Sequence, residues 1–183
     1  MTGQPMTSPN LRPRRAAWQR TVAAIEADGA PDPADVAAAM SAAEVRREDD
    51  LPIAWGEAMR DIVDAYAQAM DAASEDGTDD ERHRALRRAV DAAHGPAASA
   101  MLDQVAVQAA GVLVFEFSVM PAEPFPCDAD DYATSPITRW VASGHGDERD
   151  GLVMAATLTV ALRRLSVGQG DIAQRTAPAR SES

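Results

Sequence analysis

The sequence predicts an all-α fold, a single compact bundle of about six to seven helices with disordered N- and C-terminal tails. Three observations carry that expectation. Apolar residues return every three or four positions along nearly every segment, which is the period of a helix face. Gly- and Pro-containing breakers divide these segments. Alanine, the strongest helix former, is by far the commonest residue, and aromatics make up only 4 %.

Residues 1–10 hold Pro, Thr, Ser and Gly without an apolar period and are expected to be disordered. A first helix from Leu11 to Asp28 aligns Leu11, Trp18, Val22 and Ile25 on one stripe. Gly29 and the run Pro31-Asp32-Pro33 should stop it. Asp32 then serves as N-cap, with Pro33 at the first position of a second helix to about Arg47. Its stripe of Val36, Met40 and Ala43 is thin, so it belongs at an edge.

The third helix begins near Pro52 and is amphipathic. Trp55, Met59, Ile62, Val63, Tyr66, Ala69, Met70 and Ala73 form its inner face, and Glu57, Asp61, Asp64, Gln68 and Asp71 its outer face. Thr78 opens a fourth helix with a capping box, because Glu81 follows three residues later. Leu86, Ala89, Val90 and Ala93 are its buried stripe, and His94-Gly95-Pro96 ends it.

The fifth segment, Pro96 to Met120, is apolar nearly all round in its second half and should be central. Its run Val112 to Val119 also fits a buried strand, since period alone does not separate the two. No partner strand is visible elsewhere, which favours helix. A long loop follows from Pro121 to Pro136. A short helix, Ile137 to Ala142, leads to a last one from Glu148 to Val167, with Asp147 as N-cap. Leu152, Ala155, Leu158, Thr159, Leu162 and Leu165 are its core face; Gly168 caps it, and residues 169–183 read as a tail. The bundle domain is therefore residues 11–168, with the third, fifth and last helices as its core.

The net charge is −12, and all the basic side chains are arginine. That usage fits a GC-rich bacterial genome. The acidic surface disfavours nucleic acid and anionic membranes as partners. The single cysteine, Cys127, allows no internal disulfide. The longest apolar stretch, Val105 to Met120, falls short of the ~20 residues of a membrane span. No apolar core follows the N-terminal arginines. A cytoplasmic protein is expected.

Several residues are candidates for chemistry. Asp80 with His83, and Asp91 with His94, put a carboxylate and an imidazole on one helix face, the arrangement from which metal-binding bundles build ligand sets. Such bundles draw their ligands from different helices, whereas both pairs lie on one. The plainer reading is a first-turn aspartate near a solvated histidine, with His94 as a cation at a helix C-terminus. Glu116, inside Val114-Phe115-Glu116-Phe117, is a carboxylate among apolar residues. It is either an acid/base or ligand-binding group or one half of an ion pair with Arg139 or Arg163. Glu57, Asp61 and Asp64 lack the paired pattern of a magnesium site and read as a solvated face. Arg82, Arg84, Arg87 and Arg88 form a dense basic segment without interleaved aromatics, best used against acidic helices. Cys127 lies beside Asp128, which disfavours a thiolate, and His145 is the one histidine near it in sequence.

No motif names a reaction, and no cofactor or metal is called for. The expectation is a non-enzymatic helical interaction or regulatory protein that binds a protein partner or self-associates, for instance as a homodimer. The alternative is a small-molecule-binding or metal-dependent bundle, with a pocket around Glu116, Trp55 and Tyr66 covered by the 121–136 loop.

Overall fold

Each helix start and stop is set by local chemistry, and the packing follows from which faces those helices present. The computed structural model describes residues 11–40, 51–73, 77–118 and 135–176, with side chains in 15–40, 58–73, 77–110 and 135–168. The described residues form seven helices and no strand. These are α1 (Leu11–Glu26), α2 (Pro33–Met40), α3 (Leu51–Ala72), α4 (Asp79–His94), α5 (Pro96–Ser118), α6 (Pro136–Ala142) and α7 (Glu148–Thr176).

The capping box expected at Thr78 is present: its hydroxyl accepts from the Glu81 amide, and the Glu81 carboxylate accepts from the Thr78 amide at 2.9 Å. Gly95, with φ 83°, closes the same helix by donating its N–H to Asp91 O. At α1 the left-handed residue is Asp28, with φ 57°, and not the expected Gly29. Asp28 donates to Ile25 O and Gly29 to Ala24 O, the two bonds of a Schellman end. Aspartate tolerates that conformation better than most side chains. Ser135, which the sequence reading passed over, caps α6 by accepting from the Thr138 amide at 3.1 Å. Asp147 caps α7, accepting from the Asp150 amide at 2.9 Å.

The run from Val112 that fitted either strand or helix is helical through Ser118, as favoured from the sequence. One element ends elsewhere than expected. The backbone of α7 continues past Gly168 to Thr176, into the stretch expected to be a tail. Gly168 does not take up the left-handed conformation of a cap; a glycine inside a helix costs only about 1 kcal/mol.

The most extensive packing joins α3 to α7. Ala58, Ala65 and Ala69 on one side and Ala155 and Ala156 on the other are all buried. Small side chains there allow close axes. Buried residues surround α7 more widely than the predicted stripe, since Ala156 and Val160 join Leu152, Leu158 and Leu162. The stretch Glu148–Gly168 is long and apolar enough to cross a membrane by length and composition. In the bundle it is the core helix, and its leucines at 152, 158 and 162 are in the interior.

The described part of the fifth helix is open on one side, and the side chains of its apolar run 112–119 lie outside the described residues. Met101, Leu102 and Val105 are buried, but Val107 is 54 % exposed. α5 is held mainly by α4, α6 and α3, which leaves Val107 open to solvent. At the junction of α6 and α7, the Trp140 indole donates to Ala97 O at 2.8 Å and its ring stacks on His145. The tight α1–α2 pair carries the Arg20–Asp35 ion pair at 2.6 Å.

Candidate functional site

The histidines were the first candidates, and the fold separates each from the aspartate that precedes it. His83 faces α3 and α5. Its Nε2 lies 3.0 Å from Asp103 Oδ1 and its Nδ1 3.0 Å from the Tyr66 hydroxyl. Arg87 Nε donates to the other Asp103 oxygen at 3.1 Å. Asp80 stays exposed, and its backbone carbonyl accepts from Arg84. Asp91 accepts from the Ser99 hydroxyl at 3.1 Å. Among the described residues no three His, Cys, Asp or Glu side chains come together as a metal site.

Tyr66, His83 and Asp103 come from three helices and form a linear array. An ionised Asp103 carboxylate only accepts, so the proton of a neutral imidazole sits on Nε2. Nδ1 then accepts from the Tyr66 hydroxyl. The connectivity is that of a hydroxyl–imidazole–carboxylate relay. Its chemistry is blocked at the hydroxyl. Tyr66 is 8 % exposed. Burial, followed by the charges of Asp79 and Asp103, pushes its pKa up to about 12. A phenol so placed is neither reachable nor readily ionised, and the array acts as a strut joining α3, α4 and α5.

The basic segment of α4 lies at the surface, with Arg84, Arg87 and Arg88 exposed. Arg82 reaches Gly77 O, Arg84 reaches Asp80 O, and Arg87 reaches Asp103. Asp61 departs from the solvated face assigned to it, because its carboxylate accepts from the buried Trp18 indole at 2.7 Å. The side chains of Trp55, Glu57 and Glu116 lie outside the described residues, as do Cys127 and the 119–134 part of the loop expected to cover a pocket.

The described bundle does hold a cavity, at a different place. It is a half-open groove of about 470 Å³ between the end of α1, the last turns of α4 and the second half of α7. It exists because α4 packs mainly on α5 and α7 mainly on α3, and the two hardly touch each other. Ala89, Val90 and Ala93 form one wall, and Val160, Ala161 and Leu165 the other. Ile25 and Gly29 close the end. The small side chains leave the space open. Ala93, expected on the buried stripe of its helix, is exposed here, while Leu86 and Val90 are buried.

Polar groups sit only at the mouth and in one wall. Thr157 donates its hydroxyl to Val153 O at 2.9 Å, which leaves no unpaired hydroxyl proton in the wall. At the mouth stand His94, Arg164 and Asp28. Arg164 Nη2 donates to Glu26 O at 2.7 Å and to Asp28 Oδ1 at 3.0 Å, so this side chain caps the C-terminus of α1 across the bundle. The sequence carried a partial signal for the groove. Val160 is an apolar residue off the expected core stripe of α7, but nothing local shows which helix end it faces.

Comparison of the chain with protein-family models, with curated proteins and with solved structures gives no match. The chemistry of the groove therefore rests on its own residues.

Proposed function

We propose that this protein is a non-enzymatic helical binding protein that holds its ligand in the groove between α1, α4 and α7. The groove itself carries the proposal. Its volume, about 470 Å³, lies within the roughly 300–1,000 Å³ of small-molecule sites, and its apolar walls with a few polar groups at the mouth match their usual make-up. The part-buried strut of Tyr66, His83 and Asp103, whose hydroxyl belongs to a buried tyrosine, supports binding over catalysis. The reading joins both sequence expectations, recognition without chemistry and a pocket between helices, at a site other than Glu116.

A neutral fluorescent apolar probe, N-phenyl-1-naphthylamine, tests it on the full chain. It should bind with saturable enhancement. Ala93→Trp and Ala161→Trp, which fill the groove from opposite walls, should each weaken binding by at least about tenfold, the size of effect lost when a well-packed apolar group is excluded. Binding that is absent in the parent chain, or unchanged in both variants while their melting stays cooperative, overturns the proposal. Native mass spectrometry of the same preparations reads subunit number and any retained ligand together, which also tests the homodimer expectation.

A further inference from the structure

We draw no further inference here: the strongest candidate, the apolar groove between the end of α1, the last turns of α4 and the second half of α7, belongs to the site already described, and nothing in the structure shows what covers it, since the Arg164–Asp28 pair at its mouth carries no net charge.

Discussion

The indole nitrogen of Trp18 donates to Asp61 Oδ2 at 2.7 Å, joining α1 to α3 through a ring that is 3 % exposed. Arg163 approaches the same oxygen at 3.9 Å from α7. One carboxylate thus answers groups from two other helices. Asp61→Ala leaves the buried indole N–H without an acceptor and should lower stability by about 1–3 kcal/mol. Asp61→Asn keeps an acceptor and should lose clearly less. Urea midpoints at constant m-value measure both. Equal loss in the two variants would mean that the hydrogen bond to Trp18 contributes nothing.

Gly151 is required by the crossing of α6 over α7. A Cβ at this position would lie 2.8 Å from Ile137 Cγ2, a buried β-branched side chain with little freedom to move. Gly151→Ala should cost about 1–3 kcal/mol through overpacking. The double variant Gly151→Ala/Ile137→Ala should lose less than the sum of the single losses. Strict additivity in thermal melts would show that the contact is relaxed elsewhere.

Tyr66 gives the fold an alkaline limit. Its folded pKa of about 12 exceeds the ordinary value of 10.0 because burial, then Asp79 and Asp103, disfavour the phenolate. Between those values the unfolded chain has lost the proton and the folded one keeps it, so stability must fall as pH rises above 10. Tyr66→Phe should flatten that limb of the stability profile. The phenolate absorbance of Tyr66 should be missing from the titration of the folded protein near pH 10 and appear only as pH approaches about 12. A phenolate formed near pH 10 in the folded state would contradict the burial argument.

Glu81 acts at the other end of the scale. Hydrogen bonds from the Thr78 amide and hydroxyl hold its carboxyl below the ordinary 4.5. A lowered folded pKa stabilises the fold above the unfolded value, and that contribution disappears as pH falls through 4.5 toward the folded value. Glu81→Gln keeps an acceptor for the Thr78 amide and should reduce the acid dependence of melting as pH falls below 4.5. Thr78→Ala removes the hydroxyl half of the cap and should cost ~1 kcal/mol at neutral pH. An acid limb identical in Glu81→Gln and the parent chain would exclude the cap from acid unfolding.

Much of this architecture was legible along the chain because it depends on neighbours three or four residues apart. Thr78 with Glu81, Asp147 before α7, Gly95 before Pro96, and the stripe of Leu152, Leu158 and Leu162 are local patterns, and each element they mark is present. The pairing of Arg87 with Asp103 on α5 fits the expected use of the basic segment against acidic groups.

The groove depends on distances that no local pattern encodes. His83 and Asp103 are 20 residues apart, Trp18 and Asp61 are 43, and Arg164 and Asp28 are 136. Helical period shows which face of α4 or α7 is apolar, but not whether that face meets another helix or an opening. Ala93 illustrates the difference: its position on the stripe follows from spacing, and its exposure follows from α4 packing mainly on α5 and α7 on α3, not on each other. The sequence by itself determined the helices, their caps and the apolar faces, because short-range hydrogen bonding and period decide these. Only the tertiary structure decided that Tyr66, His83 and Asp103 form a part-buried strut and that Arg164 and His94 flank an apolar cavity, because helix crossing alone brings such distant residues together.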